Sequence, residues 1–138
     1  MGVETFAYGL RVKTQLTYEA ALTAIRAALK EQGFGVLTEV DVRKTLREKL
    51  GADVGPYVIL GACNPHLAYE GLQRERDLGL LLPCNVIVYE EQGAGVVAAI
   101  DPVKALSVVQ NPALADLAPQ VRAKLEAALK AVAEEGTG

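Results

Sequence analysis

Tyr57-Val-Ile-Leu-Gly-Ala-Cys-Asn-Pro65 decides how this chain reads. Residues 57–62 form an unbroken apolar run of strand length, the pattern of a central strand buried on both faces. The run stops at Cys63. Asn64-Pro65 then opens a helix, because an Asn side chain accepts from orphan first-turn amides and a first-position proline gives up an amide that needed no partner. A second segment, Gly79-Leu-Leu-Leu-Pro-Cys-Asn-Val86, has a related form. Here Leu80–Tyr89 reads as another apolar strand, interrupted at Pro83, where the missing amide marks a bulge, an edge or a strand start. Between the two lie a helix over about residues 65–76 and a turn at Asp77-Leu-Gly79. Both cysteines of the chain therefore sit in Cys-Asn pairs, Cys63-Asn64 and Cys84-Asn85, each beside a strand.

The rest of the chain punctuates itself in the same way. Residues 4–12 alternate loosely and read as one strand. Thr17 caps a helix with Ala21, Leu22, Ile25, Ala28 and Leu29 at the spacing of a buried stripe, and Gly33 closes it. Phe34, Val36 and Val40 alternate as a strand; Asp41 caps a short helix that Gly51 ends. Glu91-Gln-Gly-Ala-Gly95 reads as a hairpin loop into strand Val96–Ile100. Asp101-Pro102 and Asn111-Pro112 repeat the cap-and-proline device, the second opening a helical extension over about residues 111–135, with a frayed tail at Glu134–Gly138. The order β-α-β-α-β-α-β-β-α predicts a single α+β domain over residues 1–138, with helices packed on a mixed sheet of about five strands.

Composition narrows the function. The 138 residues are 51% hydrophobic and 22% charged, a globular balance. A net charge of −3 argues against general nucleic-acid binding, and Arg43, Lys44, Arg47 and Lys49 read as one solvated helix face. No apolar stretch approaches the roughly 20 residues that span a bilayer. The first residues lack a secretory pattern, so a cytoplasmic location with reduced thiols is expected.

Candidate chemistry centres on the sulfurs. Cys63 precedes a helix N-terminus, which favours negative charge, so it is the candidate thiolate; as a small apolar residue it also fits the end of a buried strand. Whether Cys84 meets it depends on topology, since antiparallel strands bring the two together and a parallel crossover separates them. Cys63, His66 and Cys84 are three soft-metal donors, one short of a structural zinc set. Glu39 and Asp41, two apart at a strand end, share a face on which a carboxylate pair holds a cation or moves protons, although helix capping already accounts for Asp41. Gly33-Phe-Gly35 follows a helix and lacks a third glycine, so it is no dinucleotide fingerprint.

Three stretches, Gly33-Phe-Gly-Val-Leu-Thr-Glu-Val-Asp41, Tyr57–Pro65 and Gly79–Val86, resemble the domain of unknown function 302 family. The resemblance covers about residues 5–106 and leaves the C-terminal helix outside. It implies a small single domain and marks Glu39, Asp41, Cys63, Asn64, Pro65, Pro83, Cys84 and Asn85 as typical, with His66 outside the pattern. It implies no reaction. The expectation is a small ligand-binding or thiol-dependent protein. Its site is built from Cys63, Asn64, Cys84 and Asn85 for a small polar or anionic ligand, with Glu39 and Asp41 as further binding candidates. No cofactor, nucleic acid or membrane is expected. Strands this apolar invite edge pairing, which predicts a homodimer. The alternatives are a non-catalytic dimeric interaction module and a soft-metal binder.

Overall fold

The computed structural model describes residues 2–135, so the expected frayed tail lies outside the described residues from position 136 on. Thirteen elements follow one another: β1 Glu4–Phe6, β2 Gly9–Lys13, α1 Tyr18–Glu31, β3 Gly35–Asp41, α2 Val42–Leu50, β4 Tyr57–Cys63, α3 Pro65–Arg74, a 3-10 helix Arg76–Leu81, β5 Cys84–Glu91, β6 Ala94–Ile100, α4 Pro102–Ser107, a 3-10 turn Pro112–Leu114 and α5 Leu117–Glu135. The fold is α+β, as expected.

The sheet has six strands in the order β1-β2-β6-β5-β4-β3. Every pairing is antiparallel, where a mixed sheet of about five strands was expected. The extra strand arises because residues 4–12 are two strands. The chain reverses at Ala7-Tyr8, and Phe6 pairs back onto Gly9. The Phe6 ring lies 2.5 Å from where a Cβ on residue 9 would stand, so glycine makes this hairpin possible.

The capping signals were read correctly. Thr17, Asp41, Asn64, Asp101 and Asn111 each accept from a first-turn amide, and Gly51 takes the left-handed conformation that ends α2. The Gln92-Gly93 turn between β5 and β6 has positive φ at both residues, the backbone that suits the twist of a tight hairpin.

One face of the sheet is covered. Leu10 and Val12 of β2, Val97 and Ala99 of β6, Val86 and Val88 of β5, and Val58 and Leu60 of β4 form its apolar rows. Ile25 and Leu29 of α1 and Leu125, Leu129 and Val132 of α5 close over them. Each fully buried Leu or Ile contributes about 1.5–3 kcal/mol of transfer free energy. α5 is thus a layer of the core rather than an appendage.

The opposite face is only partly covered, which corrects the reading of Tyr57–Ala62 as buried on both sides. Leu60 is fully buried while Ile59 is half-buried, and Leu22 of α1 is likewise half-buried. Val40, Ile59 and Ile87 form one row across β3, β4 and β5, with Tyr57 stacked on Tyr89 at 5.6 Å in the next.

Leu80–Leu82 do not begin a strand. Leu80 and Leu81 finish the 3-10 helix, and β5 starts only at Cys84, after a cis Leu82–Pro83 peptide. A smaller apolar cluster gathers there: Leu78, Leu114 and Leu117, with Leu67, Leu82, Leu106 and Val109 packed on it.

Candidate functional site

The antiparallel pairing of β4 with β5 settles where the two Cys-Asn pairs lie. The chain leaves the sheet at the end of β4, passes through α3 and the 3-10 helix, and re-enters at the same end as β5. Ala62 is opposite Cys84 and Gly61 is opposite Asn85. The pairs therefore meet at one margin of the sheet.

There they border a cavity of about 310 Å³. Cys63, Asn64, Cys84 and Asn85 all line it. Its walls are leucine-rich, with Leu67 from α3, Leu78 and Leu80–Leu82 from the 3-10 segment, Leu106 from α4 and Leu117 from the start of α5. Leu80 is 87% exposed at the rim.

Each pair combines a thiol with an amide, but the four side chains are placed differently. Asn64 is buried and committed to the fold. Its Oδ1 accepts from the Leu67 amide of α3 at 3.3 Å, and its Nδ2 donates to the Gln32 carbonyl at the end of α1 at 3.4 Å. Asn85 is exposed, and its side chain has no hydrogen-bond partner among the described residues. Cys63 and Cys84 are free thiols, both half-buried. Burial, with a smaller effect of the nearby Cys63, pushes the Cys84 thiol up to about 11, so it is a neutral S–H at physiological pH.

Close packing shapes this margin. A Cβ at Gly61 would collide with Thr38 Oγ1 and stand 2.7 Å from Pro83 Cγ. Only glycine lets the proline fold down onto β4 as the chain enters β5.

The segment that walls the cavity is tied down by polar contacts. Arg74, at the end of α3, donates to the Ala113 carbonyl at 2.8 Å and pairs with Asp116 at 2.6 Å and Glu70 at 2.9 Å. Asn111 donates to the Arg74 carbonyl at 3.1 Å and to Glu75 at 2.9 Å. These residues escaped the sequence reading. The Asn111-Pro112 cap was visible, but its second hydrogen bond spans a separation that no local pattern encodes.

The remaining candidates lie elsewhere. Glu39 pairs with Arg26 of α1, and Asp41 accepts from the Lys44 amide as the cap of α2 at 3.0 Å. Neither lines the cavity, so the structure does not join this carboxylate pair to the Cys-Asn pairs. His66 is exposed on α3 and borders a neighbouring groove with Tyr69, Glu70, Arg74 and Asp116, which shares Leu67 and Leu117 with the cavity. Among the described residues no group of three or more His, Cys, Asp or Glu side chains is arranged to hold a metal ion, so Cys63, His66 and Cys84 do not form a ligand set. Among the same residues no helix is long and apolar enough to cross a membrane.

Residues 10–132 match the family described as "Domain of unknown function DUF302". The chain is also similar to a solved structure, the "uncharacterized conserved protein DUF302 from Bacillus stearothermophilus". The two are 31% identical over 91% of this chain and 98% of that one, with a TM-score of 0.85. No curated protein matches. The family match runs through most of α5, the helix that the sequence resemblance had left outside the shared region.

Proposed function

The chain belongs to the family of the domain of unknown function DUF302, and from that premise we propose that it is a small-molecule-binding domain whose ligand occupies the cavity bordered by both Cys-Asn pairs. One observation carries this reading. Strands β4 and β5, helices α3, α4 and α5 and the 3-10 segment all contribute walls to a space of about 310 Å³. That is the scale of small-ligand sites, which are mostly apolar with a few placed polar groups. The leucine walls shift the expected ligand from a wholly polar one to a molecule that is apolar along most of its surface and polar at the Cys-Asn end.

Thiol chemistry has less support. Cys84 is held neutral by burial, and the single histidine lies on a different groove, leaving Cys63 without an imidazole base beside it. A cytoplasmic location, which keeps both thiols reduced, fits a binding role in which the sulfurs are soft, polarisable wall atoms.

The test is binding of the uncharged apolar dye Nile red, followed by fluorescence, to wild type and to Ala105→Phe, which fills the cavity from α4. Saturable binding that the substitution weakens by at least about tenfold supports the reading, provided the variant keeps its circular dichroism and melting curve. Equal binding by both proteins contradicts it.

We also propose that the chain pairs as a homodimer through the partly covered sheet face. Val40 is 45% exposed there, and Ile59, Ile87, Tyr57 and Tyr89 are half-buried around it. A continuous apolar face of this kind gains by excluding water against its own copy. None of these five side chains lines the cavity, so either proposal can fail without the other.

A further inference from the structure

We infer that the ligand of this cavity is electrically neutral, a mostly apolar molecule ending in an uncharged hydrogen-bonding group such as a hydroxyl, carbonyl or amide, and that Asn85 receives that group. The inference rests on the cavity being the ligand site and names the ligand class it takes.

Charge is the deciding observation. Among the described residues that line the cavity there is no Lys, Arg, His, Asp or Glu. Two charged groups close to the lining residues in the chain are engaged by partners of their own. Asp101, between the lining residues Ile100 and Pro102, accepts from the Val103 amide at 2.9 Å and pairs with Arg122 at 3.2 Å. Arg74 is held by Asp116, Glu70 and the Ala113 carbonyl. A carboxylate or ammonium entering among the leucines would lose its hydration and find no counter-ion among the lining residues, which costs several kcal/mol in real proteins.

The helix beside the cavity does not replace the missing cation. A free helix N-terminus attracts anions through its unpaired amides. In α3 the first residue is Pro65, which has no amide hydrogen, and the Leu67 and Ala68 amides are taken by the side chain and carbonyl of Asn64, which leaves only the His66 amide in the first turn.

What remains for recognition is hydrogen bonding. Asn64 is spent on the helix cap and on Gln32. The Asn85 side chain keeps a carbonyl oxygen and an amino group without protein partners among the described residues, so it both donates and accepts. It stands on β5 next to Cys84 and across from Gly61, among the residues that line the cavity. A hydroxyl or carbonyl placed there satisfies both the ligand and the asparagine. The high Cys84 pKa agrees with a site that disfavours charge.

The experiment is displacement of Nile red at pH 7 by three compounds that share one alkyl chain: n-octanol, octanoate and octylammonium. Octanol is expected to displace the dye at a concentration at least about tenfold lower than either ion. Asn85→Leu is expected to weaken octanol severalfold more than it changes the affinity for Nile red, which is measured directly on the variant. Octanoate or octylammonium competing as well as octanol overturns the neutral-ligand inference and leaves the cavity as the binding site. Unchanged octanol affinity in Asn85→Leu overturns the role of Asn85. Dye binding that is absent, or indifferent to Ala105→Phe, removes the site itself and this inference with it.

Discussion

Cys63 and Cys84 stand one residue out of register on neighbouring antiparallel strands. Ala62 is the residue opposite Cys84, and alternation along β4 sends the Cys63 side chain to the other face of the sheet. Cys84 packs against the main core, whereas Cys63 closes its strand beside the Asn64 cap. Both border the cavity, but their Cβ atoms do not face each other as a disulfide requires. Treating the folded protein with diamide should therefore give no intramolecular disulfide, and the same treatment in denaturant should give one. Intact mass after alkylation reads the difference. A bridge formed in the native state would contradict the register.

The buried Cys84 thiol makes stability depend on alkaline pH. Its folded-state pKa, about 11, lies above the 9.0 of an ordinary thiol, so the native state holds this proton more tightly than the unfolded chain. The stabilisation is complete below pH 9 and is lost as pH rises through about 11. Its size is on the order of 2–3 kcal/mol. Cys84→Ala should flatten this part of the stability profile relative to wild type in urea titrations between those pH values. Parallel profiles for the two proteins would show that Cys84 is not the group responsible.

Leu60 and Ile59 are neighbours with different fates. Leu60 is fully buried under the helices, and Ile59 is half-buried on the other face. Leu60→Ala should cost about 2–5 kcal/mol, as a large-to-small core change does, and Ile59→Ala clearly less. Chemical denaturation measures both. Equal losses would mean that the second face is covered in solution, which the homodimer also predicts, so the comparison is made below the dimer dissociation concentration.

This pair of residues also shows how far the sequence could be read. The caps at Thr17, Asp41 and Asn64 were legible because capping is local, a side chain bonding an amide two or three residues on. The one-sided burial of β4 was not, since an apolar run looks the same whether a helix covers one face or two. The four Cys-Asn residues were found as a site, but the leucines that give it its character were assigned to a strand. Leu80-Leu-Leu-Pro83 satisfies strand and 3-10 geometry equally until tertiary contacts choose. Pro83 was the available signal, because a proline entering an interior strand fits best at its first residues. The leucines before it then belong to the wall of the cavity.

Asn111 fastens that wall. It hydrogen-bonds the Arg74 carbonyl and Glu75 while capping the turn before α5. Asn111→Ala should destabilise the protein by about 1–3 kcal/mol, because a partly buried carbonyl loses its donor. Amide hydrogen exchange should quicken first in residues 76–82. Uniform acceleration across the whole chain would indicate global destabilisation rather than a loosened wall.

Assembly is checked by sedimentation. The sheet face should hold a dimer that buries at least about 1,000 Å² in total. Val40→Lys, on the exposed edge of the apolar row, should yield monomer without loss of secondary structure. A wild-type monomer at tens of micromolar would remove the dimer proposal and leave the cavity untouched.

The central claim is that this cavity receives the ligand, and backbone amide NMR during titration with n-octanol tests it most directly. Shifts should cluster at Cys63, Cys84 and Asn85, along Leu78–Leu82 and at Ala105, and should saturate. Shifts confined to Val40, Tyr57, Ile59, Ile87 and Tyr89 on the sheet face, or no saturable shifts at all, would contradict it.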